Sequence, residues 1–137
     1  MYRIETENFI LELLPHEYQE TFLLLQNNSL RIKVFSYGFS ADFFIDADDF
    51  CIADFSACLS ELYKTRKGTA ELEDLYSAYS IVKFVAKPDG YIRIFERLNN
   101  KKAYGYEQEL TFDNETDQTY LREFITALFN DYGKYAE

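Results

Sequence analysis

The spacing of apolar residues switches between two periods along the chain, and this switching constrains the fold more than any other feature. Strand-like patterns, typical of half-buried antiparallel strands, occupy four segments of the first third: 9–13, 21–25, 30–34 and 39–45. From Asp48 or Asp49 the apolar spacing becomes three and four. This change predicts an amphipathic helix of about four turns that is capped by one of these aspartates and stopped by Gly68.

The second half returns to a period of two. Further strands are predicted in four segments: 70–72, 79–86, 91–98 and 103–112. The last three of these are joined by turns, one at residues 87–90, where Pro and Gly suit a tight reversal, and one at Asn99-Asn100. The pattern of short strands in chain order is that of a meander.

A second amphipathic pattern ends the chain, and its apolar stripe consists of Leu121, Phe124, Ile125, Leu128 and Tyr132. Asn114, Thr116 or Asp117 can cap this helix, and Gly133 falls near its end. We therefore expect a single domain, residues 1–137, with an α+β fold. In it, one antiparallel sheet of about six to seven strands carries two packed helices.

Residue types that carry catalysis or bind metals are scarce. His16 is the only histidine, and Cys51 and Cys58 lie too far apart on the predicted helix to form a disulfide. We expect both cysteines to be small buried residues, which leaves no Cys/His pair and no zinc ligand set. The acidic run 46–49 lacks the glycine and glutamate of an EF-hand loop. We expect no cofactor, no metal and no enzyme activity, although the 24 acidic residues leave a carboxylate-based hydrolase open.

Charge is segregated along a chain whose net charge is −10. No Lys, Arg or His lies between Lys33 and Lys64 or within residues 103–121, whereas the stretch from Lys83 to Lys102 is net basic. Such a chain has little attraction for nucleic acid or for an anionic membrane, but it suits a basic protein partner. The candidate binding residues are acids of the two base-free windows: Asp42, Asp46, Asp48, Asp49, Asp54, Glu61, Glu107 and Glu109.

Aromatic residues offer a second route to a partner. The chain has 12 Tyr and 13 Phe, and tyrosine is a common interface anchor because its ring packs while its hydroxyl stays hydrated. The tyrosines expected to be exposed are Tyr37, Tyr76, Tyr91, Tyr104 and Tyr135. They leave open a self-associating module, and the composition leaves the oligomeric state open between a monomer and a weak dimer.

The cellular location is expected to be the cytoplasm. No apolar run approaches the roughly 20 residues that a membrane-spanning helix needs. Residues 1–5 also lack the basic and then apolar layout of a secretory signal.

Several motifs, taken in order, carry a likeness to a known family. They are Cys51-Ile52-x-x-Phe55-x-x-x-Leu59-x-x-Leu62, Lys67-Gly68-x-Ala70-x-Leu72, Gly90-Tyr91-Ile92-x-Ile94 and Asp117-Gln118-Thr119-Tyr120-Leu121-x-x-Phe124-x-x-x-Leu128. From about Leu30 onward the chain resembles the small WapI-type immunity proteins of bacteria, with Asp117 to Leu128 as the most specific part.

The resemblance implies an α+β cytoplasmic protein that binds and neutralises a cognate toxin domain. Toxins in such systems are often nucleases, whose basic clefts an acidic inhibitor would match. The shared positions are core or turn residues, so the resemblance assigns no inhibitory residue: Phe55, Leu59, Leu62, Gly68, Leu72, Leu121, Phe124 and Leu128.

Overall fold

The computed structural model describes residues 1–15, 29–75, 77–101 and 107–133, and their fold is α+β, as predicted. The first four strands pair in chain order as one antiparallel sheet. They are β1 (Tyr2–Glu5), β2 (Phe9–Pro15), β3 (Ser29–Ser36) and β4 (Phe39–Asp46). A two-residue turn joins β3 to β4, and both Tyr37 (φ +52°) and Gly38 (φ +89°) adopt the positive φ of a type I′ turn. The predicted strand 21–25 lies outside the described residues, and β1 was not predicted.

The remaining four strands form a second antiparallel sheet, so the prediction of a single sheet is wrong. They are β5 (Thr69–Asp74), β6 (Ser77–Ala86), β7 (Ile92–Lys101) and β8 (Glu107–Thr116). A helix separates β4 from β5, and these strands meet at their ends, where the Leu75 N–H donates to the Asp46 carbonyl at 2.7 Å. The two sheets are linked across the interior by Asn114, whose side-chain amide donates to Ser36 Oγ at 2.9 Å.

The turn at residues 87–90 is confirmed, with Gly90 at φ +92°, but the predicted reversal at Asn99-Asn100 is wrong. Strand β7 continues to Lys101, because Ser80 Oγ accepts a hydrogen bond from the Asn99 N–H at 3.0 Å and donates to the Asn99 carbonyl at 3.2 Å. The Asn99 backbone is thereby satisfied within the strand. Accordingly, β8 runs later than the predicted strand 103–112.

Helix α1 (Asp49–Thr65) begins as predicted, because the Asp48 carboxylate accepts a hydrogen bond from the Cys51 N–H at 2.8 Å. It ends earlier than predicted: Arg66, at φ +61°, terminates the helix by donating its N–H to the Leu62 carbonyl, so Gly68 is not the stop. The expectation that both cysteines are buried is also wrong. Cys51 is half-buried, and Cys58 is exposed because it lies on the solvent face of the helix, with Asp54 one turn before it.

Helix α2 (Arg122–Tyr132) follows a single 3-10 turn, Gln118–Tyr120. Asp117 caps that turn by accepting from the Thr119 N–H at 2.9 Å, whereas the other two predicted caps, Asn114 and Thr116, lie within β8. Helix α2 buries Phe124, Ile125 and Leu128.

A common core joins both sheets and both helices. At its centre the Phe84 ring of β6 stacks on Phe124 of α2 at 5.9 Å and meets Phe55 of α1 edge-on at 5.7 Å. Tyr2 of β1 donates its hydroxyl hydrogen to Asp131 of α2, which fixes that helix against the first sheet. Across the ranges that the structure describes, no helix is both long and apolar enough to span a membrane.

Candidate functional site

An acidic groove of about 390 Å³ lies between the first turns of α1 and strand β5. We define the groove by the residues that line it: Cys51, Asp54, Glu71, Leu72, Glu73, Asp74 and Leu75. Alternation along β5 buries Ala70 and Leu72 in the core and leaves Glu71 and Glu73 exposed. Helical periodicity places Asp54 on the solvent face of α1. Carboxylates from two elements are thereby brought to one surface.

The charge of this groove is poorly balanced. Lys83, on the neighbouring strand β6, pairs with Glu71 at 3.4 Å, and both side chains are more than a third exposed. Asp54 and Glu73 form no ion pair with any residue in the described ranges. Screening by water keeps the Lys83–Glu71 pair weak, so the groove retains a net negative charge.

Asp46 extends this acidic surface at the end of β4. Its backbone N–H donates to the Asp74 carboxylate at 3.4 Å, so the two acids are close neighbours. Partial burial, and then the negative charge of Asp74, raise the pKa of Asp46. A cation that approached these two groups would relieve their repulsion.

Exposed apolar side chains accompany the acids. Leu75, which lines the groove, is 40% exposed, and Phe50, in the first turn of α1, is 61% exposed. Burial, reinforced by Asp48, raises the pKa of the Cys51 thiol, so this cysteine is poorly suited to act as a thiolate nucleophile. The groove therefore combines charge with apolar contact area, which suits recognition better than covalent chemistry.

Sequence reasoning identified Asp46 and Asp54 but missed Glu71, Glu73 and Asp74. These three acids lie in a further stretch without Lys, Arg or His, residues 68–82, which was not singled out from the sequence. A partial signal was present: Glu71 and Glu73 alternate with Ala70 and Leu72, which places these two acids on one face, whereas Asp74 follows an irregularity in the register of β5 with β6.

Asp42 is separated from the groove. It lies on β4 four residues before Asp46, roughly 13 Å along the strand. Two hydrogen bonds from Arg31, at 2.7 and 2.5 Å, lower the pKa of the Asp42 carboxyl and offset its charge locally. Asp48 is occupied as the cap of α1, and Asp49 is an exposed acid in the first turn of the same helix.

The other three predicted acids fall in two places. Glu61 shares the solvent face of α1 with Asp54, two turns away. Glu107 and Glu109 lie on β8, at the opposite edge of the second sheet from β5, and each accepts a hydrogen bond from the Asn99 side-chain amide at 3.0 Å. The eight predicted acids are thus distributed over several surfaces.

Two of the tyrosines expected at the surface are exposed, Tyr37 at 69% and Tyr91 at 45%. Tyr76, Tyr104 and Tyr135 lie outside the described residues.

The described residues offer little support for a metal site or for a buried acid catalyst. Among these residues, no three His, Cys, Asp or Glu side chains are grouped so as to hold a metal ion. Burial, and then the Asp113 charge, hold the pKa of Glu96 well above its usual value, but this carboxyl is 0% exposed. A substrate in the groove would have no access to a side chain enclosed in the core.

Comparison with known proteins matches the chain to a family. A family model described as "Immunity protein WapI-like family" matches residues 3–136, nearly the whole chain. Neither the curated proteins nor the solved structures contain a match to the chain.

Proposed function

This chain belongs to the WapI-like immunity protein family, and we propose that it binds and neutralises a cognate toxin domain in the cytoplasm without catalysing a reaction. The toxin surface it recognises is basic, as in the cleft of a nuclease. The acidic groove between α1 and β5, extended by Asp46, is the contact surface.

This proposal rests on the net negative charge of the groove. Asp54 and Glu73 have no described cationic partner, and Asp46 and Asp74 repel each other. Lys or Arg side chains from a partner would pair with these acids, and complementary charge of this kind raises association rates and excludes wrong partners. Phe50 and Leu75 would add the apolar contact that slows dissociation.

Asp46 and Asp74 also favour a second candidate, a hydrolase that uses two neighbouring carboxylates. They are adjacent, and the pKa of Asp46 is raised, as expected for a general acid. Titration of the toxin's activity separates the two functions. A stoichiometric inhibitor abolishes activity at one immunity protein per toxin, whereas a catalyst inactivates the toxin at far lower ratios.

The binding surface is tested by charge reversal with a matched control. The variant Asp54→Lys/Glu73→Lys reverses two groove acids, and Glu107→Lys/Glu109→Lys makes the same change of net charge at the opposite edge of the second sheet. Their Kd for the cognate toxin domain is measured by calorimetry at two salt concentrations. Because like charges facing each other cost several kcal/mol, we expect the groove variant to weaken binding at least about 100-fold.

The control variant is expected to weaken binding only several-fold, through long-range repulsion that salt screens. Equal losses in both variants would mean that net charge, and not the groove, governs association. Unchanged affinity in the groove variant would place the toxin on another surface.

A further inference from the structure

The outward face of the first sheet carries a row of four charges, one from each strand. Strand register aligns Arg3 with Glu12, Glu12 with Lys33, and Lys33 with Asp42. The signs across the sheet therefore alternate as plus, minus, plus, minus. Residues on the opposite face of these strands, such as Leu11 and Ile32, are buried in the core.

This row is complementary to itself. A twofold axis parallel to the strands, placed between β2 and β3, would lay a second copy face to face with the first, with β1 opposite β4 and β2 opposite β3. Arg3 would then face Asp42 of the second copy, and Glu12 would face its Lys33. Every facing pair in the row has opposite charges.

Two different twofold axes parallel to the sheet could pack this face against itself, and only the axis along the strands pairs opposite charges. An axis across the strands, centred on the same row, would set each strand against itself, so that Arg3 would face Arg3 and Lys33 would face Lys33. Because facing like charges are unfavourable, the charge pattern selects the axis along the strands.

The rows on either side mix apolar residues with two further charges, Glu5 and Arg31, which pair with Arg3 at 2.7 Å and with Asp42 at 2.5 Å in their own copy. In one neighbouring row, Ile10 lies beside the half-exposed Phe35 and would face Phe35 of the second copy. A hollow of about 470 Å³ is bordered by Ile10, Phe35 and Ser40 and also by the four charges of the row, and the Phe35 ring of the second copy would enter it from the apolar side. In the other row, Phe44 (55% exposed) would meet Met1 (70% exposed) of the second copy.

The size of the face sets the strength of the contact. Four strands of about seven residues give a footprint of roughly 15 to 20 Å by 23 Å, which is small for a protein interface. The contact would contain two Arg3–Asp42 pairs, two Glu12–Lys33 pairs and a few apolar contacts. On so small an area, we expect these to give a weak dimer.

We propose that this sheet face associates with a second copy of the chain, related by a twofold axis along the strands. The charged row shares no residue with the acidic groove between α1 and β5, although Asp46, which extends the groove surface, lies on β4 two residues beyond Phe44. Variants of Glu12 and Lys33 therefore test dimerisation without altering a groove residue.

The test uses the purified chain in sedimentation velocity, from about 5 to 500 µM, the range in which a weak dimer forms. The wild-type chain is expected to dimerise, more weakly at high salt.

Lys33→Glu sets the introduced carboxylate against Glu12 of the second copy, and Glu12→Lys sets the introduced ammonium group against Lys33. Each single variant should weaken dimerisation at least about tenfold. Lys64→Glu, on the exposed end of α1, is the matched control and should dimerise like the wild type.

Mixing the two single variants gives the decisive result. The introduced carboxylate of Lys33→Glu then faces the introduced ammonium group of Glu12→Lys. The unchanged Glu12 of the first variant faces the unchanged Lys33 of the second, so the mixture is expected to form a heterodimer. Simple misfolding of either variant could not produce this recovery. A wild-type chain that stays monomeric throughout the range, dimerisation that Lys33→Glu leaves unchanged, or a mixture that fails to associate would each overturn the proposal.

Discussion

Replacement of Glu96 should raise the stability of the protein, although most core substitutions lower it. Glu96 is 0% exposed, and neither carboxyl oxygen accepts a hydrogen bond from a described residue. Its neighbours across the sheet are Val82 on β6 and Phe112 on β8. A buried polar group without partners costs about 1 to 3 kcal/mol, so Glu96→Met, which keeps a similar shape, should gain about that much.

The pH dependence of stability gives the sharper prediction. Burial, and then the charge of Asp113, raise the pKa of Glu96 in the folded state well above its usual value, which the unfolded chain retains. At a pH above the usual pKa of glutamate, the folded state therefore binds more protons than the unfolded state. Stability should therefore fall with rising pH, by at most about 1.4 kcal/mol per pH unit, until the pH passes the folded pKa of Glu96.

Glu96→Gln isolates this effect, because the amide keeps a polar side chain of the same size but does not titrate. Urea denaturation at intervals from about pH 5 to pH 8 gives the free energy of unfolding of each protein. As the pH rises, the free energy of unfolding of the wild type should fall relative to that of Glu96→Gln. Other titrating groups, such as Asp46, change both proteins alike. Parallel pH profiles would refute the reasoning and mean that Glu96 is solvated or paired.

Other predictions concern the elements that build the fold, and each is measured by the free energy of unfolding. Asp48→Ala removes the cap of α1 and should cost about 1 kcal/mol, while Asp49→Ala, one residue later, should cost much less. Arg66→Gly should gain about 0.5 to 1 kcal/mol, because glycine adopts φ +61° without strain; a loss would refute this assignment of the helix end. Phe84→Ala should cost about 3 to 5 kcal/mol, since it removes the ring between both helices; a cost below about 1 kcal/mol would contradict its central position.

Local patterns predicted the helices and most strands, but not the pairing of those strands. The period change at Asp48 gives the start of α1 correctly, because apolar spacing and a capping aspartate act within a few residues of each other. The alternation of apolar and polar residues indicates which face of a strand is buried but not which strand lies beside it. The strands of two sheets were therefore assigned to one sheet. Strand β1 was missed because it is four residues long and buries little besides Ile4.

Long-range contacts account for the other errors. Asn99 suggests a turn in sequence, and it stays in β7 because Ser80, distant in sequence, satisfies its backbone. At the candidate site, the charge windows included Asp46 and Asp54, but β5 contributes further acids, which the packing of α1 against that strand brings beside them.

Carboxyl footprinting of the toxin complex tests the central claim most directly. A carbodiimide and an amine label exposed carboxylates, and mass spectrometry compares labelling of the free protein with labelling of the complex. If the acidic groove binds the toxin, labelling of Asp54 and Glu73 should fall strongly in the complex, while labelling of Glu107 and Glu109 stays unchanged. Protection of Glu107 and Glu109, with Asp54 and Glu73 still fully labelled, would contradict the account.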